Sequence, residues 1–160
     1  MQVMLADEAA TQAFAQRMAA CAPRSGRVSL QGDLGAGKTT LVRAFLRALG
    51  VSQTVRSPTY TLVEPYECTD RRILHFDLYR LSSPEELEYL GVREDLDGEA
   101  LCFIEWPERG QGWLPDADVR LILEVAGSGR LLILQASSDI GEAWLAAISQ
   151  KPQQNQSVSI

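Results

Sequence analysis

Hydrophobic and polar residues follow two different periods along this chain, and the elements that they predict are interleaved. Alternation or a continuous apolar run predicts strands at 27–31, 60–66, 72–78, 100–104, 121–125 and 131–136. Helical spacing and capping residues predict helices from Asp7–Glu8 to about Ala22, at 40–49 and at 140–148, and a helix start at 82–86 with Ser83 as its cap. Turns at 69–71 and 127–129 predict two hairpins.

The run at 100–104 is apolar throughout, which is typical of a strand buried on both faces. Helices interleaved with such a strand favour an α/β fold, a three-layer sandwich in which helices flank a central sheet. The two hairpins make this sheet mixed. We expect one domain at residues 1–149, followed by a polar, Gln-rich tail at 150–160 that we predict to be disordered.

Composition narrows the class of protein. The 160 residues are 46% hydrophobic and 22% charged, which is normal for a globular domain. The net charge of −6 argues against stand-alone binding of nucleic acid, because that requires clustered Lys and Arg. Cys21, Cys68 and Cys102 are widely spaced and His75 is the one histidine, so we expect neither a zinc site nor a disulfide framework.

No segment of the sequence indicates a membrane or a secretion signal. The apolar runs are far shorter than the roughly 20 residues of a transmembrane helix. Residues 1–11 include Asp7 and Glu8 and lack the basic start of a signal peptide. We therefore expect a cytoplasmic protein.

Residues 32–39 carry the clearest chemistry. They read Gly-Asp-Leu-Gly-Ala-Gly-Lys-Thr and fit the phosphate-binding pattern G-x-x-x-x-G-K-T, between a predicted strand and a predicted helix. Glycines in such a loop let backbone N–H groups approach phosphates at a helix N-terminus. We expect Lys38 to reach the β- and γ-phosphates of a nucleoside triphosphate and Thr39 to ligate Mg²⁺.

Two acidic residues each follow an apolar strand, at the positions where a phosphate-loop enzyme needs them. Glu105 ends the run at 101–104, and Asp77 ends the stretch at 73–76. Either acid can hold Mg²⁺ while the other orients the attacking water, and Asp77 can also simply pair with an arginine.

Three further positions have two interpretations each. Thr59, in the segment 57–61, is either a switch that responds to the γ-phosphate or part of a Ser-Pro turn. Trp106 either shields the site from water or belongs to the core. His75 either assists proton transfer or is structural.

Four motifs in this order resemble the TsaE (YjeE) family, P-loop ATPases of bacterial tRNA threonylcarbamoyladenosine biosynthesis. They are Gly-Asp-Leu-Gly-Ala-Gly-Lys-Thr-Thr at 32–40, Ser-Pro-Thr-Tyr-Thr-Leu at 57–62, His-Phe-Asp-Leu-Tyr-Arg at 75–80 and Ile-Glu-Trp-Pro at 104–107. The similarity extends from about residue 3 to residue 148.

The resemblance implies a P-loop α/β sandwich that hydrolyses ATP slowly alone, with Mg²⁺. It implies a TsaB–TsaD heterodimer as partner, and this heterodimer transfers threonylcarbamoyl to tRNA. The protein would then contact tRNA only through the complex. The catalytic residues it implies are Lys38, Asp77 and Glu105, and the Mg²⁺ ligands are Thr39 and Glu105. The ATP contacts it implies are Leu34, Gly35, Ala36, Gly37, Lys38, Thr39, Thr40, Thr59 and Trp106, and on looser matches Glu8, Thr11 and Arg130.

Other nucleotide-binding classes compete with this interpretation. A GTPase needs the motif Asn-Lys-x-Asp, and the chain has a single asparagine, Asn155 in the tail. A small-molecule P-loop kinase is the alternative enzyme. Such kinases usually have a lid with several arginines that closes over the phosphates. Here the lid would have to use Arg71, Arg72 and Arg80 from scattered positions. A binding module that responds to nucleotide without hydrolysis is the third possibility.

Overall fold

The computed structural model describes residues 1–56, 58 and 60–150, which form a mixed sheet of seven strands with helices on both faces. Two predictions lie outside these residues: the switch threonine Thr59 and the tail beyond residue 150. The strands are β1 (Gln2–Leu5), β2 (Gly26–Gln31), β3 (Val63–Glu67), β4 (Arg72–Asp77), β5 (Leu101–Glu105), β6 (Val119–Ala126) and β7 (Gly129–Ala136). The helices are α1 (Glu8–Ala20), α2 (Lys38–Ala48), α3 (Glu86–Tyr89), α4 (Arg93–Asp97) and α5 (Asp139–Ser149), and a 3₁₀ helix spans Pro107–Gly110.

The strand order is β1-β7-β6-β2-β5-β4-β3. The four central strands, β6, β2, β5 and β4, are parallel, and the pairs β1–β7, β6–β7 and β3–β4 are antiparallel. Both predicted hairpins are thereby confirmed. Every residue of β5 is buried, as its apolar sequence predicts for a central parallel strand.

Two hydrophobic clusters, one on each face of the sheet, make the fold a three-layer sandwich. Alternate residues of β5 point to opposite faces, so Phe103 belongs to the cluster that includes residues of α1, α2 and α5, while Ile104 belongs to the cluster that includes residues of α3 and α4. The rings of Phe103 and Phe45 of α2 have centroids 4.8 Å apart. This contact fixes α2, and with it the loop that precedes α2, over the β2–β5 pair.

The parallel strands bring the predicted functional segments to one edge of the sheet. The 32–39 loop follows the carboxyl end of β2, and Asp77 and Glu105 are the last residues of β4 and β5. In the strand register Glu105 lies beside both Leu30 of β2 and Asp77. Ligands of open α/β sheets bind at this edge.

The sequence prediction missed strand β1, helix α4 and the 3₁₀ helix, and three of the element boundaries that differ from the structure have a clear local description. Strand β3 begins at Val63, not at residue 60, because Leu62 adopts a left-handed φ of 64° and its N–H donates to the Pro58 carbonyl.

Two helix boundaries also differ from the prediction. Ser83 is not a helix cap; α3 begins at Glu86, whose carboxylate accepts from the backbone N–H groups of Ser82 and Ser83. Helix α1 ends at Ala20 rather than near Ala22, and β1 was not predicted.

The chain within the described ranges contains no helix with the length and apolar character that crossing a bilayer requires.

We predict that Gly32→Ala destabilises the fold more than Gly35→Ala. Both glycines have positive φ, so each substitution adds backbone strain of about 1–3 kcal/mol. A Cβ on Gly32 would also lie 2.5 Å from the Leu123 carbonyl oxygen, whereas nothing lies within 4 Å of one on Gly35. Urea unfolding without nucleotide measures the difference, and equal losses from the two substitutions would contradict the close approach at Gly32.

Candidate nucleotide and metal site

The 32–39 loop leaves the start of α2 open toward the edge of the sheet. Its three glycines, at positions 32, 35 and 37, all have positive φ. Gly37 is the N-cap of α2, and it has no side chain that could accept a hydrogen bond from the first turn. The N–H groups of that turn and the positive end of the helix dipole are therefore available to an anion such as phosphate.

Lys38 is the cation of this loop, and only 4% of it is exposed. Its Nζ donates to the carbonyl oxygens of Gly32 at 2.6 Å and Asp33 at 3.0 Å, and lies 4.2 Å from the ring centroid of Trp106. Burial lowers the pKa of Lys38, and the negative charges of Glu105 and Asp77 oppose that effect. Because water solvates the Lys38 ammonium poorly here, its positive charge is stabilised by the nearby acids.

Thr39 and Glu105 join the loop helix to the end of β5. The Thr39 hydroxyl donates to Glu105, with distances of 2.9 Å to Oε1 and 3.1 Å to Oε2. A hydroxyl has one hydrogen and two lone pairs, so the lone pairs of Thr39 stay available to a cation. Glu105 is 2% exposed, and its Oε1 also lies 2.7 Å from His75 Nε2.

Asp77 is the second acid of the site. It lies beside Glu105 in the β4–β5 register and is 6% exposed. Its Oδ1 accepts from the backbone N–H of Tyr79, and its own backbone N–H donates to the Leu62 carbonyl. The sequence left open whether Asp77 or Glu105 is the metal ligand; of the two, Glu105 has the bond to Thr39.

Trp106 belongs to the site and not only to the core. Its backbone is left-handed, with φ 57°, which is rare for a bulky residue. This turn directs the half-buried ring toward Lys38 and toward Tyr79, whose ring centroid is 4.9 Å away. The predicted position of Trp106 beside the site therefore agrees with the geometry.

A cavity of about 390 Å³ unites most of the predicted residues. Its lining includes Leu34, Gly35, Gly37, Lys38, Thr39, Thr40, Asp77, Glu105 and Trp106. Tyr79 and Arg80 also line it, although the sequence gave them no site role in an ATPase. Their position in the short stretch that follows Asp77, the last residue of β4, is the signal that could have found them.

A second cavity, of about 220 Å³, lies beside the same loop and is lined by the three residues that the family resemblance implies on looser matches. Glu8, Thr11 and Arg130 line it together with Gly35, Ala36, Gly37 and Thr40. Arg130 Nε donates to the Ala36 carbonyl oxygen at 2.9 Å. Three segments far apart in sequence thus meet at the loop, and their contact with nucleotide stays a prediction.

The oxygen atoms at the site suit a hard divalent cation. Mg²⁺ is commonly bound through one or two carboxylates plus substrate phosphates rather than by an all-protein cage. Thr39 and Glu105 supply a hydroxyl and a carboxylate in contact with each other, beside the open start of α2. Among the described residues no group of three or more His, Cys, Asp or Glu side chains could hold a metal by itself.

Known proteins resemble this chain over most of its length. The model of the family described as "Threonylcarbamoyl adenosine biosynthesis protein TsaE" matches residues 5–131. A relative from Haemophilus influenzae, named tRNA threonylcarbamoyladenosine biosynthesis protein TsaE, is 48% identical over 76% of this chain and 77% of its own. The Bacillus subtilis protein of the same name is 36% identical over 73% of each chain.

A solved structure supports the same relationship. The crystal structure of Bacillus subtilis YdiB aligns with a TM-score of 0.80 and 27% identity, over 93% of each chain. This likeness confirms the three-layer P-loop architecture. Since the family model spans more than half of the sequence, and relatives above 30% identity cover more than two thirds of it, this chain belongs to the TsaE family of threonylcarbamoyladenosine biosynthesis proteins.

Proposed function

We propose that this protein is a Mg²⁺-dependent ATPase that binds a TsaB–TsaD complex and sustains its turnover in tRNA threonylcarbamoyladenosine formation. In this proposal it does not itself transfer the threonylcarbamoyl group, and it acts in the cytoplasm. The observation that carries the proposal is the bond between Thr39 and Glu105. It joins the phosphate loop to a strand-end acid, which is the pairing that binding of a metal–triphosphate complex requires.

Phosphate binding is the task of the loop and of Lys38. The open N-terminus of α2 offers backbone N–H groups, and the ammonium of Lys38 already lies within the loop. An ammonium has three donors, and two of them are satisfied by loop carbonyls. We infer that the third donor, now over the Trp106 ring, turns to the β- and γ-phosphates.

Thr39 and Glu105 would hold Mg²⁺, the first through its hydroxyl lone pairs and the second through its carboxylate. When bound, Mg²⁺ neutralises charge on the phosphate oxygens. The chain's own contribution is to keep both groups in register before nucleotide arrives, so that little rearrangement opposes binding.

Asp77 is the acid that we assign to the attacking water. It lines the same cavity as Lys38 and Glu105, and the Tyr79 N–H fixes one of its oxygens. A carboxylate held in this way can orient a water molecule and accept its proton. Trp106 and Tyr79, whose rings pack against each other at a tilt beside the cavity, would limit the access of other water.

A link from Asp77 to the 57–62 segment supports the proposed switch. The Asp77 N–H donates to the Leu62 carbonyl, and the Leu62 N–H donates to the Pro58 carbonyl. Thr59 lies between these positions in sequence and outside the described residues. We propose that the γ-phosphate and Mg²⁺ set the arrangement of this segment, which presents a surface to TsaB–TsaD only in the ATP-bound state.

The second cavity would receive the nucleoside part of ATP. Glu8 and Thr11 supply oxygen acceptors and a hydroxyl, and Arg130 is anchored to the loop through Ala36. The loop therefore separates two cavities, one for the phosphates and one for the base and sugar.

We predict that Lys38→Ala weakens ATP binding about 10- to 100-fold, since a hydrogen bond to a charged group contributes about 1.5–3 kcal/mol. Hydrolysis should fall to background. Lys151→Ala is the matched control, because Lys151 is the only other lysine. Calorimetry with ATP and Mg²⁺, together with phosphate release, measures both effects. Wild-type affinity and rate in Lys38→Ala would contradict the assignment, and transfer to a small acceptor instead of phosphate release would indicate a kinase.

We expect the protein to bind immobilised TsaB–TsaD with ATP and Mg²⁺ but not without nucleotide. Thr59→Ala should lose this binding, because the switch would no longer respond to the γ-phosphate. In a reconstituted modification assay, the wild-type protein should allow many turnovers per TsaB–TsaD. Equal binding with and without nucleotide, or modification that is indifferent to the protein, would count against the partner proposal.

A further inference from the structure

His75 lies behind Glu105 in the sheet. Strands β4 and β5 are parallel, with His75 beside Phe103 and Asp77 beside Glu105 in their register. All four side chains therefore share one face of the sheet. The His75 side chain is fully buried, and its Nε2 lies 2.7 Å from Glu105 Oε1.

The other ring nitrogen of His75, Nδ1, is the second observation on this side chain. Nδ1 is buried and has no hydrogen-bond partner among the described residues. A carboxylate accepts hydrogen bonds, so Nε2 is the nitrogen that donates to Glu105. A buried histidine kept only for packing would be expected to have both nitrogens satisfied or to be replaced by an apolar residue. The contact with Glu105 is the polar interaction that explains this side chain.

We propose that His75 is a positioning residue that fixes which carboxylate oxygen of Glu105 faces the metal. His75 and Thr39 both contact Oε1, at 2.7 and 2.9 Å, whereas within the described part of the chain Oε2 has the single, longer contact of 3.1 Å with Thr39. Oε2 is thus the oxygen left for Mg²⁺ or for a water bound to it. This inference rests on the proposed Mg²⁺–ATP function and extends it to a buried residue that touches neither ligand.

The test compares two amides that differ by one methylene. In His75→Gln the side-chain nitrogen reaches the position of Nε2, and in His75→Asn it reaches only that of Nδ1. The readout is the gain in affinity for a non-hydrolysable ATP analogue, adenylyl imidodiphosphate, on changing from EDTA to Mg²⁺, measured by calorimetry. Loss of a residue that orients a metal ligand typically costs about 10- to 100-fold in metal affinity.

We expect His75→Asn to lose at least about tenfold of the Mg²⁺-dependent gain, and His75→Gln to keep most of it. His75→Leu, which fills the space without a donor, should behave like His75→Asn and serves if that variant does not fold. An undiminished gain in the variants without a donor overturns the proposal, as does an equal loss in His75→Gln.

Leu74→Ala is the control for stability, because Leu74 is buried on the opposite face of β4. It should lower the melting temperature and leave the Mg²⁺-dependent gain unchanged; a lost gain would mean that instability alone explains the His75 variants and would overturn the proposal. Absence of any gain in the wild-type protein would instead overturn the Mg²⁺–ATP function on which it rests.

Discussion

The hydrogen bond between Thr39 and Glu105 is the contact on which the candidate site depends, because it sits among charges that the fold buries together. Lys38, Asp77 and Glu105 are each at most 6% exposed and meet at one edge of the sheet. Burying a charge is costly unless partners compensate for it. Here one cation lies near two acids, so a triphosphate alone would be repelled by the carboxylates. A divalent cation reverses that balance, and nucleotide and Mg²⁺ are therefore expected to bind as a unit.

Parallel strands make this arrangement possible. Strands β2, β5 and β4 have their carboxyl ends at the same edge, so one loop and two acids converge although long connections separate them in sequence. Packing of Phe45 on Phe103 holds α2 over these strands and places Thr39 above Glu105. Rigid elements hold the groups assigned to phosphate and metal, while the segment at 57–62, joined to Asp77 through Leu62, is the part we assign to partner recognition.

The features that depend on neighbouring residues in the sequence were predictable. The glycine spacing with Lys38 and Thr39 was sufficient to predict a loop between a strand and a helix, and the apolar runs were sufficient to predict that Asp77 and Glu105 end strands. Their roles toward phosphate and metal stay predictions. Contacts that depend on register between distant strands were not predictable: His75 faces Glu105 only because β4 lies beside β5 with the register observed. Strand β1 was missed because it is a four-residue edge strand with one fully buried residue. Ser83 was misassigned as a cap because the i+3 hydrogen bonds from Glu86 to Ser83 and from Leu87 to Pro84 form a turn, and the helix begins only after it.

In the proposed site Thr39 and Glu105 act as one unit in binding Mg²⁺ with nucleotide. A double-mutant cycle with Thr39→Val and Glu105→Gln tests it most directly, with the Mg²⁺-dependent gain in nucleotide affinity measured for all four proteins. If the two side chains act as one unit, each single substitution removes most of the gain and the double variant loses little more. Additive losses, or an undiminished gain in Glu105→Gln, would contradict it.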